Sequence, residues 1–396
     1  MPDWGQRVEL DDVSGQVAIA GVGESDMSRA SGRSTREIVG QAIDRALADA
    51  GLAPSEIDGL MYHPWGEPFT AADFHARYGT RHEIWESREG GGMHWAGSAP
   101  YHAAAALRSG RARHVLNSFG VAWASQRAQM LGGPGQAHAE DATKRNLELP
   151  LGWFPQPVYF ATIARRHMID FGTSEAQLGA VAVAMRRHAN HNRAAVMRDR
   201  ALTLEQYLAE PMILDPFRKL DCCLISDGGG AYVMTSPERA RDLRPPPVEV
   251  LGLGVGRSAT GEYWALQDPI TSTPQVFSAP AAYAMAGIRA ADVDVLTCYD
   301  PFTIHSILFV EDMGFCAKGE GGPFVASGAL DFETGSIPYN PHGGHLSHAY
   351  VLGIAHVVET VRQLRGEADA QVADARIGVY GGYTGGATST LVLGRA

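Results

Sequence analysis

The chain has 396 residues, a formal net charge of −11 and 45% hydrophobic residues, which is ordinary for a globular protein of two or three domain-sized units. The acidic balance argues against a nucleic-acid-binding surface, which needs a basic stripe. The N-terminus lacks the apolar core of a signal peptide, and no apolar stretch is long enough to span a membrane, so we expect a cytoplasmic protein. The four cysteines match neither a zinc-binding spacing nor a disulfide framework.

A strand–helix–strand pattern opens the chain. Residues 17–23 read as a β-branched strand that ends in glycines, and the helical stretch that follows stops at Gly51. Asp58 then precedes a second short strand at residues 59–63. Because glycine is the usual left-handed cap of a helix, Gly51 marks the helix end. This order predicts a βαβ unit with parallel strands.

The second half repeats this order. A predicted strand at residues 248–254 leads to a helix that ends at Gly287, and Asp294 precedes another strand. Gly287 and Asp294 each lie 236 residues after their counterparts, Gly51 and Asp58. A period this long indicates a duplicated domain, since solenoid repeats are much shorter.

The proline-rich turn at residues 241–247 separates the two repeats. Three successive prolines end a helix and stiffen a linker. We therefore predict an N-terminal half at residues 1–243 and a C-terminal half at residues 244–396.

A long insertion is predicted within the N-terminal half, at about residues 118–212. Its first part reads as loop, at Gly132–Gly135 and His138–Asn146. Residues 155–197 read as largely helical, with Thr173 and Ser174 as a cap-like start before an apolar run. Such an insertion commonly covers an active site, and a purely structural cap is an equal alternative.

Four stretches in the centre and the C-terminal half carry recognisable motifs. FGTSEAQL begins at Phe171, LDCCLISDGGGA at Leu220, YDPFTIH at Tyr299, and NPHGGHLSHAYVLG at Asn340. Their order and content resemble the thiolase superfamily, most closely the sterol-carrier-protein-type thiolases and their bacterial lipid-transfer relatives. The resemblance implies a thiolase fold of the α/β class. Such a fold has five layers, α/β/α/β/α, and two duplicated βαβ halves, with the insertion over the cleft.

The nucleophilic cysteine of thiolases has no counterpart here. By resemblance its position falls in GGMHWAG, residues 91–97, at Met93 or His94, and we take His94 as the former nucleophile position. Cys222 and Cys223 match structural cysteines of the relatives, so neither is an obvious replacement. Thiolysis and Claisen condensation through an acyl-enzyme need a thiolate. We therefore do not expect ordinary thiolase activity.

Two thiolase histidines have been replaced together by tyrosines. The histidine of the H-D-C-F-S motif is Tyr299, and that of the G-H-P motif is Tyr350. Decay of an active site would more plausibly leave unrelated residues, so the pair suggests a new acid–base couple. This pattern resembles the lipid-transfer-protein aldolases that cleave steroid side chains, which lack the cysteine and use two tyrosines at these places.

The reaction implied is retro-aldol cleavage of a β-hydroxyacyl-CoA to a ketone or aldehyde and a short acyl-CoA, such as propionyl-CoA or acetyl-CoA. We expect Tyr350 to take the hydroxyl proton and Tyr299 to donate on the enolate side, with the reverse order open. A phenol with a pKa of about 10 is a poor base unless its neighbours lower that value. We expect Asp300, His345 and His348, which are close in sequence, to help.

The resemblance also implies supporting roles for Asn340 and for Gly382, which lies in the glycine-rich tail. We expect no metal, because His342, His345 and His348 are spaced unlike a metal-binding motif. We also expect no separate cofactor, since CoA enters as part of the substrate and no complete dinucleotide-binding motif is present.

The relatives also imply partners. Thiolase-fold proteins are dimers, so we expect a homodimer core. The aldolase relatives work with a small OB-fold, acyl-CoA-binding protein that carries a zinc ribbon, which would make a heterotetramer here. Two alternatives stay open: a non-catalytic subunit that binds acyl-CoA or lipid as a scaffold, and an acyltransferase with an atypical nucleophile.

Overall fold

The computed structural model describes residues 4–64, 67–126, 144–153, 156–261 and 267–395. The loops predicted at 132–135 and 138–143 lie outside these described residues. The end of the second predicted loop, residues 144–146, belongs instead to a π-helical turn at Lys144–Glu148.

The described residues form a mixed α/β structure. The strands are β1 Gly5–Val8, β2 Ala18–Glu24, β3 Gly59–Met61, β4 Trp85–Ser87, β5 Val115–Ala122, β6 Met212–Leu214, β7 Phe217–Arg218, β8 Asp227–Thr235, β9 Val248–Ser258, β10 Val295–Cys298, β11 Ile377–Thr384 and β12 Ala387–Arg395. The helices are α1 Thr35–Ala50, α2 Ala71–Tyr78, α3 Met93–Arg108, α4 Gln156–Phe171, α5 Glu175–His191, α6 Leu204–Ala209, α7 Pro237–Ala240, α8 Gln275–Ala286, α9 Thr303–Asp312, α10 Gly321–Ala326 and α11 Ile354–Arg365.

The duplication is visible in the strand order. The N-terminal half gives the order β2-β8-β5-β3, with β4 added at the edge, and the C-terminal half gives β9-β12-β11-β10. The two half-sheets are joined where β2 pairs with β9. β1, which the sequence placed with the N-terminal half, is hydrogen-bonded to β9 in the C-terminal sheet.

Helices complete five layers. α1 packs on the outer face of the N-terminal sheet and α8 on the outer face of the C-terminal sheet. α3 and α11 contact strands of both half-sheets and form the central layer. The central helix α11 is buried almost all round, as a helix between two sheets must be. The predicted five-layered arrangement of two similar halves is therefore confirmed.

The repeated glycine and aspartate have the same structural role in each half. Gly51 and Gly287 end α1 and α8 in the left-handed conformation, with φ of 72° and 68°. The Asp58 carboxylate accepts the backbone N–H groups of residues 113 and 114, just before β5. The Asp294 carboxylate accepts those of residues 376 and 377 at the start of β11. Each aspartate thus fixes the start of the neighbouring parallel strand.

The central part of the insertion is helical, with α4 and α5 within the predicted helical stretch. β5 extends to Ala122, so the first residues of the predicted insertion are part of the sheet. The Ser174 side chain caps α5 by accepting from the backbone N–H of Gln177, as the sequence predicted. On α4, the ring of Phe160 lies 4.4 Å from that of Phe302, at the start of α9. The insertion therefore packs against the C-terminal half. No helix in the described ranges is long and apolar enough to cross a bilayer.

We predict that Asp294→Ala destabilises the protein by about 2 kcal/mol, because two backbone N–H groups lose a charged acceptor. The equivalent Asp58→Ala should have a similar effect, since its carboxylate makes the same contacts. The measurement is the free energy of unfolding in urea. Asp199→Ala, at an exposed position, is the control and should stay within about 0.5 kcal/mol of wild type. Equal stability of all three variants would contradict the prediction.

Candidate active site

The two tyrosines singled out in the sequence meet in the structure. Tyr299 directly follows β10, and Tyr350 lies between the π-helical turn Gly344–His348 and α11. Their phenol oxygens are 2.9 Å apart, within hydrogen-bonding distance, and either can donate. Both side chains are only 5% exposed. The replacement of two separate histidines has therefore produced one buried pair of phenols.

Backbone and side-chain contacts fix Tyr299. Its N–H donates to the carbonyl of Gly381 on β11 at 2.9 Å. Asn340 clamps the preceding residue: its Oδ1 accepts from the N–H of Cys298 at 2.8 Å, and its Nδ2 donates to the Cys298 carbonyl at 2.9 Å. Asn340 therefore supports the site by ending β10 at a defined point, and its side chain is used in these backbone contacts.

Different elements hold Tyr350. Its N–H donates to the Oγ of Ser226, just before β8, at 2.8 Å. Its ring packs edge-on against Trp123, with centroids 5.3 Å apart. The ring of His345 lies 5.0 Å away on another side and is also 4.8 Å from the ring of Tyr299. His345 thus contacts both tyrosines.

Asp300 organises a buried network behind the pair. Its Oδ1 accepts from the backbone N–H of His345 at 2.8 Å and from Nε2 of His356 at 3.0 Å. The Nε2 of His345 in turn accepts from the N–H of Gly353 at 2.9 Å. Burial raises the pKa of Asp300 and lowers the pKa of His345 well below its ordinary value. The network fixes the ring of His345 as a neutral imidazole.

Asp300, His345 and His356 are also close enough to be considered as metal ligands, with candidate ligand atoms within 4.8 Å of one another. The hydrogen bonds favour another role. Because Nε2 of His345 accepts from a backbone N–H, the proton of its neutral ring is on Nδ1, which faces Asp300 at 3.4 Å. A protonated nitrogen cannot coordinate a metal. The absence of a metal remains a prediction.

The neighbours do not lower the pKa of the phenols. Burial raises the pKa of Tyr299, and Asp300 raises it further, while the hydrogen bond with Tyr350 opposes the shift only in part. Burial likewise raises the pKa of Tyr350. His348 is directed away, with its Nε2 3.1 Å from Glu24 and its Nδ1 3.1 Å from Asn192. Desolvation thus disfavours the phenolate, and the expected help from Asp300, His345 and His348 stays a prediction.

The start of α3, where thiolases place their nucleophile, lies beside the same loop. Met93 has a strained backbone with φ of 55°, and its N–H donates to the carbonyl of Leu352. A Cβ on Gly382 would lie 2.7 Å from the Cα of His94 and 3.0 Å from the carbonyl oxygen of Met93. Glycine at 382 therefore lets β11 approach the first turn of α3. Of the two candidate positions, Met93 has the strained conformation.

Neither His94 nor the cysteine pair Cys222 and Cys223 is a ready nucleophile. The His94 ring stacks at 4.1 Å on Trp95, and burial lowers the pKa of His94 to about 3. Burial raises the pKa of Cys222 to about 12 and that of Cys223 well above its ordinary value. These thiols therefore stay protonated, and the thiolate that acyl transfer needs is disfavoured.

Sequence reasoning missed several residues that build the site. They are Trp123 and Ser226, which position Tyr350; His356, which completes the Asp300 network; and Tyr380, whose hydroxyl donates to the carbonyl of Met93 at 2.7 Å. Ser226 lies inside a motif identified in the sequence, so its presence could have been noted. The other three lie outside those motifs, and only contacts in the folded chain show their part in the site.

The sequence comparisons identify relatives along almost the whole chain. The C-terminal part, residues 256–395, matches the model of the thiolase C-terminal domain-like family. A steroid side-chain-cleaving aldolase from Thermomonospora curvata is 35% identical, over 96% of this chain and 98% of its own. The 17-hydroxy-3-oxo-4-pregnene-20-carboxyl-CoA lyase of Mycobacterium tuberculosis is also 35% identical, over 96% of this chain and 100% of its own.

Solved structures give the same relation. The Ltp2-ChsH2(DUF35) aldolase superposes with a TM-score of 0.88 at 33% identity, over 97% of this chain and 99% of that one. An acetyl-CoA acetyltransferase from Syntrophomonas wolfei shares the fold, with a TM-score of 0.70 at 16% identity, over 97% of this chain and 100% of that one. The class defined by fold and site is thus a thiolase-fold enzyme without the thiolase nucleophile. The chain belongs to the thiolase-like, sterol-carrier-protein-type family of aldolases, and it is a carbon–carbon lyase.

A histidine buried near the site would destabilise the folded protein if it became protonated. His305 on α9 is fully buried, and its ring centroid lies 4.3 Å from that of Phe160 and 4.8 Å from that of Tyr383. Neither ring nitrogen has a hydrogen-bond partner among the described residues. Burial lowers the pKa of His305 to about 3, so the folded protein resists protonation that the unfolded chain accepts near pH 6.5.

We predict that the contribution of the neutral His305 ring to the free energy of unfolding is fully present above pH 6.5 and is lost as the pH falls toward 3. Between pH 7 and pH 5 the loss is about 2 kcal/mol. His305→Phe, which does not titrate, should reduce the decline in unfolding free energy by that amount. The measurement is urea unfolding at a series of pH values, with the exposed His191→Gln as control. An unchanged decline in His305→Phe would show that the ring is not kept neutral.

Proposed function

We propose that this enzyme performs retro-aldol cleavage of a β-hydroxyacyl-CoA whose acyl group is a steroid side chain. The observation that carries the proposal is the buried contact of 2.9 Å between the hydroxyls of Tyr299 and Tyr350. Retro-aldol cleavage needs a proton acceptor at the β-hydroxyl and a proton donor at the enolate, and it needs no covalent enzyme intermediate. A pair of phenols beside buried, protonated thiols suits that requirement.

The contact between the hydroxyls resolves the problem of the raised pKa values. As the Cα–Cβ bond breaks, its electron pair forms the thioester enolate and the β-hydroxyl becomes a carbonyl. The hydroxyl proton passes to the oxygen of Tyr350, the proton of Tyr350 passes to Tyr299, and Tyr299 protonates the enolate carbon. Both phenols are neutral before and after. Because no free phenolate accumulates, a raised pKa does not block the reaction, and the reverse assignment of the two tyrosines uses the same relay.

The Asp300 network would then act as support. His345 contacts both phenol rings and is held by two hydrogen bonds, through its backbone N–H and Nε2. A neutral, fixed imidazole ring would hold the two phenol rings in position without removing their protons. Positioning of this kind contributes to catalysis by holding the reacting groups close to their reactive geometry.

The substrate class follows from the relatives. Two relatives that match almost the whole chain are named for steroid side-chain cleavage and for a 17-hydroxy pregnene carboxyl-CoA. We therefore infer a CoA thioester with a tertiary β-hydroxyl on a steroid ring. Cleavage would give a steroid ketone and a short acyl-CoA such as propionyl-CoA, or acetyl-CoA from a shorter side chain.

We predict that Tyr299→Phe and Tyr350→Phe each lower kcat by about 10²- to 10⁴-fold, the usual contribution of a positioned acid or base. Both variants should remain folded, because each keeps its ring. Formation of ketone and short acyl-CoA from the thioester is followed by mass spectrometry. Tyr283→Phe is a matched control: this buried tyrosine donates to the carbonyl of Met313 at 3.3 Å, away from the pair.

Full turnover in either variant would remove that tyrosine from the mechanism. Binding of the thioester without turnover by the wild-type protein, alone and with its partner, would favour the scaffold alternative. A covalent acyl-enzyme in the mass spectrum would favour the acyltransferase.

We further propose that the chain forms a homodimer and binds a DUF35-type partner. The partner is inferred from the structural relative, which is an aldolase of Ltp2 with ChsH2(DUF35). The homodimer is supported by β4, which among the described residues pairs only with β3. The Trp85 N–H donates inward to the Asp58 carbonyl, so by strand alternation the N–H of Glu86 points outward. An open strand edge is a template for pairing with another chain.

We predict that Glu86→Pro weakens dimerisation, because it removes the outward N–H without breaking the contacts to β3. Glu86→Ala is the matched control, since it deletes the side chain and keeps the N–H. Light scattering after size exclusion should give about twice the chain mass of 42.4 kDa for wild type and Glu86→Ala. A monomeric wild type, or an undisturbed dimer in Glu86→Pro, would contradict the prediction.

A further inference from the structure

One buried arginine has no carboxylate to pair with. Arg186 on α5 is 5% exposed. Its Nε donates to the hydroxyl of Ser347 at 3.0 Å, and its Nη1 donates to the carbonyl of Arg200 at 3.4 Å. It forms no ion pair with any residue in the described ranges. A buried cation without a counter-ion is costly, so such groups are normally paired.

Two more arginines increase the positive charge at the same place. Burial, together with the nearby charges of Arg200 and Arg29, lowers the pKa of Arg186 to about 10. Arg29 donates to the Sδ of Met197 at 3.0 Å, and a thioether is a weak acceptor. Neither Arg29 nor Arg200 has an ion pair within the described part of the chain, and both are exposed. The cluster therefore has a buried base and a solvent-facing rim.

Arg29 also lines a cavity of about 450 Å³ between β2, the segment 193–196 and α11. That volume is in the range of small-molecule sites. The other arginines of the cavity already have carboxylate partners: Arg45 with Asp26, Arg193 with Asp369 and Arg362 with Glu24. Arg29 is thus the arginine of this cavity that keeps its full capacity to bind an added anion.

The cluster adjoins the segment that carries Tyr350. The carbonyl of Ser347 accepts from the N–H of Met197 at 3.1 Å, and that of His348 accepts from Val196 at 2.9 Å. Three residues of extended chain span at most about 11 Å, so the Cα of Ser347 lies within that distance of the Cα of Tyr350. The arginine cluster therefore contacts the same loop that carries Tyr350, at a short distance along the chain.

We propose that Arg29, Arg186 and Arg200 form a phosphate-binding site that takes the nucleotide end of the CoA thioester. Phosphate supplies the missing negative charge, and the planar guanidinium group matches phosphate oxygens with two parallel hydrogen bonds. The identity of the ligand rests on the proposed function, whereas the phosphate chemistry rests on the arginines alone.

Binding without turnover tests the site independently of the reaction. Adenosine 3′,5′-bisphosphate and inorganic phosphate are titrated separately into the full chain by calorimetry. We expect the bisphosphate to bind wild type, and Arg29→Gln and Arg186→Gln to bind it about tenfold more weakly, as loss of a charge-assisted hydrogen bond predicts. Arg186→Lys, which keeps the charge, should recover part of the affinity. Arg36→Gln, an exposed arginine on α1 paired with Asp73, is the control and should bind as wild type does.

Kinetics then links the site to the substrate. With a CoA thioester, Arg29→Gln and Arg186→Gln should raise KM about tenfold and leave kcat unchanged. With the pantetheine thioester of the same acyl group, which lacks the phosphates, their KM should equal that of wild type. Failure of turnover in wild type with both thioesters would overturn the proposed function and leave the binding result standing.

Three outcomes would overturn the site itself. In the first, the bisphosphate does not bind, or binds wild type and the arginine variants equally. In the second, inorganic phosphate binds at these arginines while the bisphosphate does not, which excludes a nucleotide. In the third, the variants change the oligomeric mass and leave nucleotide affinity unaltered, which would assign the missing charge to a carboxylate of a second copy.

Discussion

The hydrogen bond between Tyr299 and Tyr350 depends on several distant parts of the chain holding two loops in place. Tyr299 is fixed by β11 and by the Asn340 clamp, and Tyr350 by Ser226 from the N-terminal half. The pair therefore lies where the duplicated halves meet. A shift of either half relative to the other would separate two oxygens that now lie 2.9 Å apart.

Burial gives the site its order and also sets its chemistry. The interior that fixes Asp300, His345 and His356 lowers the pKa of His345 and raises those of the phenols. A persistent phenolate or imidazolium would be disfavoured in this buried environment. Passing a proton between neutral groups works with it, because charge develops only in the transition state, where fixed hydrogen-bond partners are most effective.

The fold could be predicted well from the sequence because each half of the repeat contains local sequence signals. The glycine caps at Gly51 and Gly287 and the paired Asp58 and Asp294 lie at fixed offsets within each half, so they can be recognised without a structure. The tyrosine pair was likewise accessible, since motif positions identify both residues. Motif order does not give distances, and the structure supplies the contact between them.

Residues that act only through tertiary contacts could not be predicted in this way. His356 reaches Asp300 from α11, and Arg186 reaches Ser347 across 161 positions of sequence. The effect of Asp300 on the tyrosines could not be worked out from the sequence for a related reason. Asp300 is next to Tyr299 in the sequence, which suggested that it would help to activate the phenol. The sign of a pKa shift depends on burial, and hydrophobic periodicity does not predict the burial of a loop residue.

The first turn of α3 packs against both β11 and the loop of the tyrosine pair. Met93 keeps a strained backbone, and Gly382 keeps the close approach of β11 to that turn. Such strain persists only where the surroundings impose it, so the fold around this turn holds Met93 in place. Met93 contacts, through the carbonyl of Leu352, the loop that carries Tyr350 two residues earlier. Under the proposed relay the lyase chemistry depends on side chains of this loop, while the layered frame beneath it is shared with an acetyl-CoA acetyltransferase.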